Sequence, residues 1–137
     1  MSQTTQPTWQ EIIAVNWRNP LNFYAYQKRR ELNLYLLFYI LVTLGVGITL
    51  GVLARLFPGF QQSCLVAFVF INVYLVIGVI SALARRLRDA GQHPLWVLLF
   101  FIPAAHLLFV IACMCFPSKD QDNKYRTVPL FPQEQSR

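Results

Sequence analysis

The stretch that decides the reading is SALARRLRDAGQHPLW, residues 81–96. A long apolar run halts at Arg85 and Arg86, Arg88 and Asp89 follow at once, and a second apolar run opens at Leu95. Such a boundary fits either a ligand-binding cluster or the turn between two helices that end at a polar surface. Local chemistry favours the turn for most of it. Gly91 suits a helix C-cap, Pro94 suits the first turn of the next helix, and Trp96 suits a membrane interface. Arg85 and Asp89 are four apart, a spacing that lets them pair on one helical face.

The flanking runs say what the surface is. The hydrophobic fraction is 55%, the charged fraction 13% and the mean hydropathy +0.42. Soluble domains carry about twice that charge and interrupt their apolar runs with surface positions. The chain therefore reads as an all-α polytopic membrane protein of 137 residues. Three spans are predicted, over about 32–54, 64–84 and 95–116. The first covers ~34 Å at ~1.5 Å per residue, enough for the bilayer core. Residues 1–31 contain no apolar run that would read as a secretory signal. The domain reading is an N-terminal segment 1–31, a membrane domain 32–116 and a flexible polar tail 117–137.

Within the N-terminal segment, Thr8 and Glu11 have capping-box spacing. Trp9, Ile12, Ile13 and Trp17 share one face of the helix that follows, up to Pro20. That amphipathic helix is predicted to lie in the membrane interface, or to pack on the protein itself.

Net charge is +6 and the pI about 9.6. The bases cluster beside apolar blocks, so the lipid bilayer with its anionic headgroups is the expected counter-charge, and nucleic acid is not. Lys28, Arg29 and Arg30 precede the first span and the arginine group follows the second, while Arg55 alone lies between them. The N-terminus and the 85–94 loop are thus expected to be cytoplasmic. Three full crossings then place the tail outside, against the sign of Lys119, Lys124, Arg126 and Arg137. A third segment bent at Pro103 and re-entrant would bring the tail inside. The full crossing is the expectation, because 22 residues fit one crossing and lipid-exposed irregular backbone is costly.

Candidate functional residues are few. Arg85, Arg86, Arg88 and Asp89 are expected to contact lipid headgroups or a partner protein. Asn72 and His106 are polar at mid-membrane depth, where such groups are functional by default. They could line the path of a small transport or channel subunit, or a neutral His106 could donate to the carbonyl that Pro103 leaves free or pair with Asn72 across helices. Gly47 and Gly51 form a G-x-x-x-G pair, and Gly78 with Ala82 a second small-residue pair. Either could serve a homo-oligomer or the packing of span one on span two. Cys64, Cys113 and Cys115 are the cysteines. Three crossings would place them all on the outer, oxidising face, so a disulfide from Cys64 to Cys113 or Cys115 is expected to be possible. No metal spacing, cofactor motif or nucleophile–base pair is present, so the function expected is a non-enzymatic interaction or lipid-contacting module.

The string ARRLRDAGQHPLWVLLFFIP also resembles the signature of the YhaH-like small bacterial inner-membrane proteins, the family of domain of unknown function 805. The family pattern is Arg-Arg-Leu-His-Asp, a Gly two residues on, a Trp pair, then Ile-Pro in the next span. Arg85, Arg86, Leu87, Asp89, Gly91, Trp96, Ile102 and Pro103 match it. Asn123, Lys124 and Tyr125 resemble its closing Asn-Arg-aromatic-Gly. Arg88 stands in place of the His, Leu95 in place of the first Trp, Arg126 in place of the last Gly, and His106 in place of a Gly. The family's Gly-Arg and Trp before the first span are missing. The resemblance covers about residues 20–126 and implies a bacterial inner-membrane location and no particular activity.

Overall fold

The computed structural model describes residues 6–119 and 121–131. The expectation of a disordered start falls mostly outside these residues, as does the end of the tail with Arg137. Two helices form a spine, α2 (Arg29–Leu56) and α3 (Gln61–Asp89), joined by a 3₁₀ turn at Pro58–Phe60. Both are long and apolar enough to cross a membrane. The turn marks one end of the spine, the loop end. Arg29 and Asp89 mark the other, the arginine end, where the Gln27 N–H donates to the Arg85 carbonyl at 3.3 Å.

Helix α1 (Trp9–Arg18) precedes the spine. Its capping box forms as the spacing predicts: the Glu11 N–H donates to Thr8 Oγ1 at 3.3 Å, and the Thr8 N–H to Glu11 Oε2 at 2.8 Å. The inward face differs from the expected one. Ile12 and Asn16, one turn apart, are buried, whereas Trp9 and Trp17 are 60% and 44% exposed. Trp17 meets the ring of Tyr74 edge-on at 5.0 Å, and the Tyr74 hydroxyl donates to the Trp17 carbonyl. Helix α1 therefore packs on both α2 and α3, with Leu34 of α2 against the cluster of Ile12, while Trp9 faces outward and Trp17 is partly covered by Tyr74.

Helix α3 ends in a complete Schellman motif. Gly91 has φ +72°, the Gln92 N–H donates to the Leu87 carbonyl and the Gly91 N–H to that of Arg88. A Cβ at Gly91 would also press on Lys119 at 3.0 Å. Gly91→Ala should cost about 1–2 kcal/mol in chemical unfolding, since a side chain at positive φ is strained. An unchanged midpoint would mean that the turn is not under this constraint.

The third apolar segment is not one continuous helix. It consists of a 3₁₀ helix, Pro94–Phe101, and α4, Pro103–Cys115. Between them Ile102 is extended, with ψ 111°. The residue before a proline is driven out of the helical region, and Pro103 has no N–H to continue the ladder. The two arms pack against each other as a hairpin whose ends both lie at the arginine end. Pro94 follows the Gly91 cap, and the Phe116 carbonyl accepts from Arg86 Nη2.

The expected flexible tail is ordered as far as it is described. Strand β2 (Val128–Pro129) pairs in parallel with β1 (Ala25–Tyr26). Leu130 and Phe131 are buried with Ile12 and Ala25. The tail thus returns to the N-terminal segment, where the expectation of three full crossings had put it at the opposite end.

The main core joins Leu32, Tyr35 and Leu36 of α2 to Val79, Leu83 and Leu87 of α3 and to Phe109 and Cys113 of α4. All of it lies in the arginine-end half. Small residues differ in their use. A Cβ at Gly78 would run into the Tyr35 hydroxyl, so this glycine permits close packing. A Cβ at Gly47 would only touch the Phe68 ring at 3.4 Å, and one at Gly51 would meet nothing within 4 Å. The G-x-x-x-G pair does not seat α2 on α3, because the spine is not closely packed there.

Candidate functional site

Arg85 and Arg86 are adjacent on α3, so about 100° of helical rotation separates them and they point to different flanks. Both are fully buried, as is Asp89. Direct contact of Arg85 and Arg86 with headgroups is therefore overturned: chain segments before and after the spine fold over them.

Arg85 holds the N-terminal segment. Its Nη2 donates to Asn16 Oδ1 at 2.6 Å, and its Nε to Gln27 Oε1 at 3.2 Å. Its Nη1 donates to the carbonyls of Asn19 and Asn22 at 3.3 and 3.1 Å. These acceptors are neutral. Two belong to the irregular backbone between α1 and β1, where the Asn19 carbonyl also accepts the Asn22 N–H at 3.2 Å. Ser81, one turn earlier on α3, donates to the same Asn22 carbonyl at 3.1 Å.

Arg86 holds the return end of the hairpin and the start of the tail. Its Nε donates to the Cys113 carbonyl at 3.2 Å, its Nη2 to the Phe116 carbonyl and its Nη1 to Ser118 Oγ at 3.2 Å. The carbonyls of Cys113 and Phe116 lie in the last turn and cap of α4, where helix acceptors lack partners. Arg86 also pairs with Asp89 Oδ2, three residues on. The expected Arg85–Asp89 pair does not form, since Arg85 is turned to the other flank.

Asp89 gathers the rest. Ser118 Oγ donates to its Oδ2, and Arg126 Nε lies 3.5 Å from its Oδ1. Arg126 also stacks on Tyr26 of β1 at 4.4 Å, which ties tail and N-terminal segment to one carboxylate. The Asp89 carbonyl accepts the Lys119 N–H at 2.9 Å. Asn123 Nδ2 donates to the carbonyls of Arg88 and Asp89 at 2.7 and 3.2 Å, covering the open end of α3. Arg88 differs from its neighbours: it is half-buried, with its guanidinium 5.8 Å from the Tyr24 ring.

Other sequence candidates are scattered. Asn72 is part-buried and donates to its own helix, at the Phe68 carbonyl, 2.9 Å away. His106 is exposed, with Nδ1 3.0 Å from the Pro103 carbonyl and its ring edge-on to Phe100. The two do not meet and line no common path. Cys64, Cys113 and Cys115 are free thiols. Cys64 lies 22 residues before Arg86 on α3, about 33 Å along the helix, while Cys113 touches Arg86. The expected disulfide is therefore ruled out by distance. Among the described residues no group of three His, Cys, Asp or Glu comes together.

Asn16, Gln27, Ser81 and Ser118 are among the members of the network that the sequence reading missed. Asn16 had a signal, as a polar residue one turn after Ile12 on an amphipathic helix. Gln27 and Ser118 lie in polar runs and had none. The chemical capacity of the network is positional: it holds two arms of chain against one helix end, with its guanidinium groups spent on internal acceptors.

A family model described as protein of unknown function (DUF805) matches residues 20–127. This range contains Arg85, Arg86, Asp89 and Asn123, but not Asn16. No curated protein and no solved structure matches the chain.

Proposed function

The chain belongs to the DUF805 family, and we propose that it is an inner-membrane protein with two spans and a re-entrant hairpin, acting as a non-enzymatic module through lipid and protein contact. One observation carries the membrane reading. Only 6% of the apolar window of α2 and 22% of that of α3 is buried. A core helix of a soluble protein would be mostly covered. Here Leu44, Ile48, Val52, Leu65 and Phe70 are all more than half exposed along the loop-end halves of both helices. Acyl chains are the environment that tolerates such a surface.

Charge supports the orientation. Lys28, Arg29 and Arg30, the Arg85–Arg88 group, Lys119, Lys124 and Arg126 share the arginine end, and Arg55 lies near the other. With the hairpin returning, the positive-inside rule is obeyed without the conflict that three crossings would create. The arginine end is then cytoplasmic. Arg29, Arg30, Lys119 and Lys124, which are exposed, and the half-buried Arg88 are among the cations that meet anionic headgroups or a partner there.

Reporter fusions test this. A reporter active only in the cytoplasm should be active when fused after Arg137. A reporter active only outside should be active when inserted between Phe57 and Gly59. Activity of the outside reporter after Arg137 would restore three crossings and overturn the proposal.

A further inference from the structure

The molecule is unequal along its length. Every buried residue of α2 lies between Glu31 and Leu36, and those of α3 lie from Leu75 to Asp89, apart from Cys64. At the loop end the described residues form two bare helices. At the arginine end α1, the 19–27 segment and the hairpin are packed around the same two helices. Each helix occupies a cylinder of about 10 Å diameter, so the cross-section at the arginine end is roughly double.

The hairpin is also the length of one leaflet. Its first arm has 8 residues of 3₁₀ helix, about 16 Å at ~2.0 Å per residue. Its second has 13 residues of α-helix, about 20 Å. A bilayer core is about 30 Å thick, so neither arm crosses it. The outward face is mostly apolar, with Leu95, Trp96, Leu98, Phe101, Leu107 and Leu108 all more than half exposed and His106 the polar exception near the tip. Trp96 lies near the base, at the depth where tryptophan sits in an interface.

From this we infer that the protein is a wedge: the hairpin occupies the acyl chains of the cytoplasmic leaflet alone, and the molecule favours membrane in which that leaflet is convex. The inference rests on the membrane reading above. Lipid is the occupant of the hairpin face because its depth matches one leaflet and it continues the exposed apolar surface of α2 and α3. Inserting apolar volume into one leaflet expands that leaflet relative to the other, and a convex leaflet has the looser packing that accepts it.

The test is reconstitution of the full chain into phosphatidylcholine–phosphatidylglycerol vesicles of about 50 nm and about 400 nm diameter, with protease access to the tail reporting orientation. In the large vesicles the two orientations should be near equal. In the small ones the arginine end should face outward roughly fivefold more often than inward. A variant with Leu95, Leu98, Leu107 and Leu108 all changed to alanine should lose most of that bias while still inserting. Orientation independent of size, in protein that floats with the vesicles and resists alkaline extraction, would overturn the wedge and leave the membrane reading intact. Protein that does not float would overturn the membrane reading itself. Cross-linking of Leu108→Cys between copies at high lipid-to-protein ratio would show a second copy on the hairpin face, and would also overturn the wedge.

Discussion

Arg86→Ala should destabilise the protein by about 3–5 kcal/mol, the loss that follows removal of one partner from a buried ion pair. Asp89 would stay buried with Arg126 at 3.5 Å as its remaining cation. The carbonyls of Cys113 and Phe116 would lose the donor that now serves them. On the proposed membrane reading, packing leucine against leucine gains little over packing leucine against acyl chains, so polar contacts would carry a larger share of what holds the helices together. Chemical unfolding in mild detergent reads the change. Proteolysis should locate it first at residues 103–119, the return arm and the start of the tail. Arg86→Lys should recover only part of the loss, since one ammonium cannot reproduce a planar fork that reaches Cys113, Phe116, Ser118 and Asp89 together. Parental stability and tail protection in Arg86→Ala would show that the network does not clamp the hairpin.

Arg85→Ala should release the other arm. Asn16, Asn19, Asn22 and Gln27 would lose four hydrogen bonds from one guanidinium. Hydrogen bonds to a charged group contribute about 1.5–3 kcal/mol each and are not additive here, so a total near 3 kcal/mol is expected. Hydrogen exchange should rise over residues 9–27. It should also rise over 128–131, because β2 rests on β1, and Leu130 and Phe131 on Ile12. The hairpin should keep its protection, which separates this variant from Arg86→Ala. Exchange that rises equally everywhere would mean that the two arginines serve one cooperative unit rather than two arms.

Both results bear on how much of this site was legible in advance. Arg85, Arg86, Arg88 and Asp89 stand out by residue type against the apolar runs around them. The contacts expected of Arg85, Arg86 and Asp89 differ from those found, since all three are buried under other segments. Four-residue spacing favoured Arg85 with Asp89, but Arg85 spends its donors on acceptors 58 to 69 residues away in the chain, and Asp89 takes Arg86 instead. Spacing along one helix cannot register partners that other segments bring. Asn72 with His106, and Cys64 with Cys113, failed for a related reason. Each pairing assumed a depth for the third segment that holds only if it runs the full length of the spine.

The sequence alone determined the two long apolar helices and the punctuation. Unbroken apolar blocks set two helices long enough to cross a bilayer, whatever their neighbours. The Thr8–Glu11 capping box, the Gly91 turn and the Pro94 start act through atoms a few residues apart, so they form as written. The tertiary structure decided the direction of the third segment and the place of the tail. Pro103 permits a kinked crossing as well as a return, because losing one backbone donor costs the same in either. What selects the return is Arg86, whose fork meets carbonyls 27 and 30 residues later only if the chain comes back to the same end. The tail then finds β1 and Asp89 within reach, and SALARRLRDAGQHPLW becomes the point where both arms of the chain are held.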